Sequence, residues 1–154
     1  MVTTGSALAP AVSWTRVATA LAPAGVYLAV RLIGLFVLAW MAARNGTSLV
    51  RELTSWDGAW LLAIAEHGYD GVPAHHVDAF GQRGPFTALA FFPGYPGAVA
   101  VVAKIIGGNV VAAGLAVSAI AGIVAAYGLT HIGELIPGGS RRVGLLLVAL
   151  FAAA

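Results

Sequence analysis

The chain has 154 residues, 60% of them apolar and only 9% charged, and its mean hydropathy is +0.91. Soluble domains carry about a quarter charged residues, so one small core cannot hide this much apolar surface and lipid must be its main solvent. The net charge is +2 with eight scattered basic residues, which makes no nucleic-acid patch, and the absence of cysteine excludes disulfides and thiolate metal sites.

Residues 1–23 carry little apolar patterning and one charge, Arg16. No basic stretch precedes an apolar core, so they read as a loose or surface-lying tail rather than a cleaved signal. A first membrane span is expected over residues 24–43, entered through Pro23, which suits a first helical turn. Arg31 lies inside it. Such a residue either snorkels toward headgroups or faces the bundle and binds a phosphate; snorkelling is the commoner fate. Asn45-Gly46 ends the helix with turn chemistry.

Thr54 opens the most distinctive stretch, in which Trp56, Trp60 and Ile64 recur at i, i+4 and i+8 on one helical stripe. Gly68 stops this helix. Trp56 to His67 covers about 18 Å of helix, too short to cross a bilayer, so an interfacial helix with tryptophans at headgroup level is expected. Asp57 between two indoles has two readings. Thr54-x-x-Asp57 matches a capping box, and an acid suits the first helical turn. A carboxylate at a membrane face can also serve as a general base in a partly desolvated site. Glu66 and His67 read as a solvated helix end.

Residues 70–85 form a polar loop with Asp70, His75, His76, Asp78, Gln82 and Arg83 among glycines and prolines. His75, His76 and Asp78 could ligate a metal, but adjacent histidines on a loop rarely complete a site, so no metal ligands are assigned and no cofactor is expected. Phe91-Phe92-Pro93-Gly94-Tyr95-Pro96 follows, then an apolar helix ending near Lys104 and Gly107-Gly108. Its aromatics could line a lipid or sugar groove, or be ordinary interfacial residues. As a span, residues 89–106 would have to contain two prolines, so a second interfacial helix is the better reading.

A clear span is expected over residues 109–132, where Gly114, Ser118, Gly122, Ala126 and Thr130 fall every four residues and allow close helix approach. A turn with Arg141 and Arg142 leads into residues 143–154, an apolar run too short for a full span that reads as a truncated helix. If residues 89–106 do not cross, Arg16, Arg31, Arg141 and Arg142 share one side, against Arg44, Arg51, Arg83 and Lys104. That division agrees better with positive-inside orientation and makes residues 44–108 one extracytoplasmic layer. No phosphate-binding loop, nucleotide fingerprint or serine-nucleophile motif is present, and no α/β pattern supports a soluble nucleotide-sugar enzyme.

Trp56-Asp57-Gly58-x-Trp60-x-x-x-Ile64-Ala65-Glu66-x-Gly68-Tyr69, followed by Phe91-Phe92-Pro93-x-Tyr95-Pro96, resembles the PIG-V-like mannosyltransferases, polytopic glycosyltransferases of the GT-C class. Gly94 stands where that pattern usually has a bulky aliphatic residue. The resemblance implies an all-α polytopic membrane protein, here its N-terminal part over residues 24–154. About three transmembrane helices, the last truncated, would carry a large first extracytoplasmic loop with two juxtamembrane helices. It implies transfer of a sugar, mannose, from a polyprenyl-phosphate donor to a hydroxyl on a glycolipid or glycan acceptor. Asp57 would be the catalytic acid of the loop. Trp56, Trp60, Tyr69, Phe92 and Tyr95 would support substrate, and Arg83 or Lys104 would meet the donor phosphate. The setting would be a plasma membrane in a prokaryote or the endoplasmic reticulum in a eukaryote. The rival readings are a transporter segment and a non-catalytic membrane subunit; no nucleic-acid partner is expected.

Overall fold

A computed structural model describes residues 13–78, 80–84 and 86–154, and every regular element among them is helical. The helices are α1 (Trp14–Arg44), α2 (Leu49–Leu53), α3 (Asp57–His67), α4 (Gly94–Ile105), α5 (Val110–Leu135) and α6 (Arg141–Ala153), with a 3-10 turn at Thr87–Ala90. Two of them, α1 and α5, are long and apolar enough to cross a membrane. Much of their apolar surface is uncovered by the chain, including Leu32, Ile33, Phe36, Ile120 and Val124. Lipid is the natural cover for such faces.

The first helix departs from expectation. Residues 1–12 of the expected tail lie outside the described residues, but from Trp14 onward the segment is helical, and Pro23 sits inside α1 rather than at its start. A proline in a helix interior removes the N–H that would bond the carbonyl four residues back. Here that carbonyl belongs to Thr19, and the Arg141 guanidinium donates to it. The neighbouring Ala20 carbonyl accepts from the Tyr127 hydroxyl at 3.0 Å. Side chains from α5 and α6 thus satisfy the backbone that Pro23 disturbs, as an apolar setting requires. Patterning within residues 1–23 could not show this, because the compensating donors lie more than 100 residues away.

The small-residue stripe of α5 is the spine of the bundle, as expected. Tyr95 of α4 reaches Gly114, donating its hydroxyl to the Gly114 carbonyl at 3.1 Å. Tyr27 of α1 lies against Gly122, so closely that a Cβ there would overlap its ring, and donates to the Ser118 carbonyl at 3.3 Å. Further along, Gly133 and Thr130 meet the backbone of Gly144 in α6. Tyr27, Ala126, Val148 and Ala152 form the buried core between α1, α5 and α6. The pairs Ala20 with Tyr127 and Tyr27 with Ser118 make α1 and α5 antiparallel. Thr19 with Arg141 and Tyr27 with Phe151 make α6 parallel to α1.

Residues 44–108 gather toward the other end of α1 from Arg141. Asn45-Gly46 ends α1 as its turn chemistry predicts, with Gly46 at φ 70°. Ser48 caps α2, accepting from the Arg51 N–H, and the Thr47 hydroxyl bonds Glu52 at 2.7 Å. The segment 89–106 is broken at Phe91-Phe92-Pro93, so α4 is a separate helix of 12 residues, about 18 Å long. It packs on the first turns of α5 through Val99, Ala103 and Ala113. Asn109 caps α5, accepting from the Ala112 N–H at 3.0 Å. The last helix starts at Arg141, two residues before the apolar run, with Ser140 as its cap.

Candidate functional site

The helix of the Trp-Asp stretch forms as its periodicity predicts, but it starts by another device. The capping box is not made: Trp56 is the N-cap residue and offers no side-chain cap, while the Thr54 hydroxyl donates to the Val50 carbonyl at 2.9 Å. Trp56 instead adopts φ 54° and ψ −129°, the one non-glycine with positive φ among the described residues. That backbone conformation strains any residue with a Cβ, at a cost on the order of 1–3 kcal/mol. Its effect is to turn the chain sharply out of α2 and into α3. Gly58 is required by the same turn, because a Cβ there would lie 2.7 Å from the Leu53 carbonyl oxygen. The Trp56 side chain, 85% exposed, contributes little packing to repay the strain.

Asp57 follows as the first residue of α3, exposed, with no side-chain hydrogen bond among the described residues. It does not sit in the partly desolvated setting anticipated for a base. It lies at the rim of a cleft of about 550 Å³ lined by Trp56, Asp57, Trp60, His75, His76, Asp78 and Phe91, among others. Volumes of this order suit small ligands. Sequence spacing alone did not join His75, His76, Thr87 and Ala90 to Asp57; the loop between α3 and α4 does so by folding back over α3.

Trp60 is the wall of the cleft. It is only 6% exposed and belongs to a core with Ala63, Ile64, Val72 and Ala88. Its ring stacks on Phe91 at 5.7 Å and meets His76 edge-on at 5.4 Å. His76 Nδ1 is shielded from solvent and has no hydrogen-bond partner among the described residues. Such orphaned atoms are rare in folded proteins and mark places where a ligand can complete the bonding.

The remaining expected site residues lie elsewhere. Tyr69 donates its hydroxyl to the Phe91 carbonyl at 2.7 Å, tying the end of α3 to the Phe-Phe-Pro segment. Tyr95 is spent on Gly114 and on Ser118 Oγ, 3.3 Å away. Phe92 is 83% exposed and lines no part of the cleft. Arg83, expected to meet phosphate, donates instead to the carbonyls of Pro73 and Val72, the latter at 2.8 Å, and lies 5.9 Å over the Trp60 ring. It is a clamp on the loop. Lys104 is on the last turn of α4, ten residues or about 15 Å of helix from Gly94. Of the eight expected residues, the fold gathers Asp57, Trp56 and Trp60.

Loop polarity explains Asp78, as expected. Its carboxylate accepts from the N–H groups of Phe80 and Gln82 at 2.9 and 2.8 Å and holds a tight turn. Glu66 and His67, 3.7 Å apart, form the solvated helix end. Among the described residues, no three histidine or acidic side chains are grouped as a metal site.

Comparison with known proteins gives no match: no protein family, no curated protein and no solved structure aligns with the chain.

Proposed function

We propose that this chain is a multi-pass membrane glycosyltransferase. It moves a sugar, mannose, from a polyprenyl-phosphate to an acceptor hydroxyl on the extracytoplasmic side, with Asp57 as general base. One observation carries the reading. The two motifs that resemble the PIG-V-like enzymes, separate in sequence, are locked together by the Tyr69–Phe91 hydrogen bond and the Trp60–Phe91 stack. Asp57 is left beside them at the mouth of the cleft.

The topology of the reading has support from the helix pairing. Arg141 lies against Thr19 and shares a surface recess with Arg16, while Arg44 is at the opposite end of α1. With α1, α5 and α6 taken as spans, the double-basic turn falls on the N-terminal side, consistent with a cytoplasmic location. The layer of residues 44–108 then faces outward. Labelling of cysteines placed at His75 and Arg141 is expected from opposite sides; same-side labelling overturns this topology.

In the reaction, the acceptor O–H gives its proton to the Asp57 carboxylate as its oxygen attacks the anomeric carbon. The bond from that carbon to the phosphate oxygen breaks, its electron pair leaves with the lipid phosphate, and the configuration inverts. One base suffices, because the phosphate leaves already charged. Arg83 is engaged with backbone carbonyls, so His75 and His76 are the cleft's own groups to meet the phosphate. Acceptor and donor together displace water from Asp57, which is exposed at the cleft's rim.

Asp57→Asn is expected to lower sugar transfer by about 10²–10⁴-fold, the usual worth of a general base, with donor binding retained. Near-normal transfer would rule out the role.

A further inference from the structure

We propose that a groove between α1 and α5, centred on Arg31, is a binding site for one anionic phospholipid. The Arg31 guanidinium holds the phosphate and the acyl chains lie along the two helices. This goes beyond the glycosyl-transfer reading and rests only on α1 and α5 lying in a membrane.

The groove has a volume of about 730 Å³, within the range of specific ligand sites. Leu28, Leu32, Leu115 and Phe151 give it apolar walls, and Ala119 and Gly122 form its floor on α5. Arg31 is its one charged group. The residue is thirteen positions from Arg44 and seventeen from Trp14, about 20 and 26 Å of helix. Its guanidinium carbon lies 5.9 Å over the Tyr27 ring, one turn back toward the middle of α1. The side chain thus turns toward the N-terminal half of α1 and stays over the groove.

A cation held at this depth is costly unless an anion meets it. The described acids do not. Glu134 pairs with Arg141 at the far end of α5. Glu52 is bonded by Thr47, and Asp57, Glu66, Asp70 and Asp78 all belong to the α3 helix and its following loop. The other polar groups at the groove are already matched, since the Tyr27 hydroxyl donates to the Ser118 carbonyl and Ser118 Oγ meets Tyr95. What remains open is a set of guanidinium donors beside hydrocarbon walls. Charge complementarity calls for an anion, and the walls call for alkyl chains on the same molecule. Leu28 and Leu32 are exposed along the rim, so the groove opens sideways into the bilayer. Phosphate forks well with arginine.

The test is native mass spectrometry of the full chain after exchange into equal phosphatidylglycerol and phosphatidylcholine. The wild type is expected to retain one phosphatidylglycerol in preference to phosphatidylcholine. Arg31→Gln is expected to weaken that retention about tenfold, with Arg31→Lys keeping most of it and Arg141→Gln leaving it unchanged. Ala119→Trp, which fills the groove and leaves Arg31 in place, should also abolish it. It decides the matter if Arg31→Gln fails to fold. Equal retention of the two lipids by the wild type overturns the proposal. Unchanged retention in Arg31→Gln or Ala119→Trp overturns it too. Displacement by millimolar inorganic phosphate would mean a water-facing anion site, which also defeats it.

Discussion

The seam between α1, α5 and α6 and the layer of residues 44–108 are held together by opposite means. In the seam, backbones touch: Gly133 against Gly144, Gly122 against the Tyr27 ring. Few side chains intervene, and the polar groups present serve to quiet exposed carbonyls. In the layer, side chains reach into irregular backbone: Arg83 to Val72 and Pro73, Tyr69 to Phe91, Asp78 to Phe80 and Gln82. With the seam in a membrane and the layer at its edge, as proposed, the difference follows from solvent. Lipid gives helices no hydrophobic reason to associate, so close packing of small residues must do it. Water at the membrane edge permits loops, provided their polar groups are matched. Adding bulk should therefore break the seam, whereas the layer should fail through lost hydrogen bonds.

The largest effect is expected in the seam. Gly144→Leu would drive a side chain into the Thr130 backbone, where even a Cβ has no room. Overpacking of this kind, against backbone that cannot retreat, is expected to cost more than roughly 4 kcal/mol and to separate α6 from α5. Thermal melting in detergent by circular dichroism reads the loss. An equivalent insertion in the layer, Gly97→Leu, meets open space and should be near neutral. Similar costs at both positions would erase the contrast.

The next effect belongs to the layer. Arg83→Ala removes the donors to the Val72 and Pro73 carbonyls and is expected to cost about 2 kcal/mol, because hydrogen bonds from a charged group are stronger than neutral ones. Arg83→Lys should recover only part of it, since an ammonium cannot fork between two carbonyls and lie over Trp60 as a guanidinium does. Faster hydrogen exchange confined to residues 72–84 is the signature. Loss of phosphate affinity without loop opening would restore Arg83 to substrate binding.

A smaller effect ties the two regimes together at Pro23. Arg141→Ala should destabilise by about 1 kcal/mol, chiefly by leaving the Thr19 carbonyl bare; its pair with Glu134 is half-exposed and worth little. Pro23→Ala restores the N–H that normally serves that carbonyl. In the double variant Arg141→Ala should cost almost nothing, a coupling that a double-mutant cycle measures directly. Additive effects would show that the guanidinium does not stand in for the missing amide.

What the amino-acid pattern revealed follows the same division. The α5 stripe, the end of α1 at Asn45-Gly46 and the break before α4 were legible, because small-residue spacing and turn chemistry act locally. The start of α1 was not legible, because its proline is tolerated through Arg141 and Tyr127. The cleft was half legible. Asp57, Trp56 and Trp60 lie in one stretch, but His75 and His76 join them only through the loop that Arg83 clamps. Arg83 and Tyr69 looked like ligands because a free donor and a donor satisfied by a distant carbonyl have the same sequence. The Trp56 conformation had no local sign, since a bulky indole is among the least suited residues for positive φ.

That strained tryptophan gives the smallest effect and the one of opposite sign. Trp56→Gly removes a side chain that is 85% exposed, so little burial is lost. It also relieves a backbone strain of roughly 1–3 kcal/mol, offset by about 1 kcal/mol for the added freedom of glycine in the unfolded chain. The variant is expected to melt at the same temperature as the wild type or slightly above it. The Arg83 substitutions in the same layer should lower stability instead. If Trp56 is strained in order to hold the indole at the mouth of the cleft, the same variant should lose sugar transfer while gaining stability. A stable variant with full activity would show that the turn between α2 and α3 needs the conformation at position 56 and not the indole.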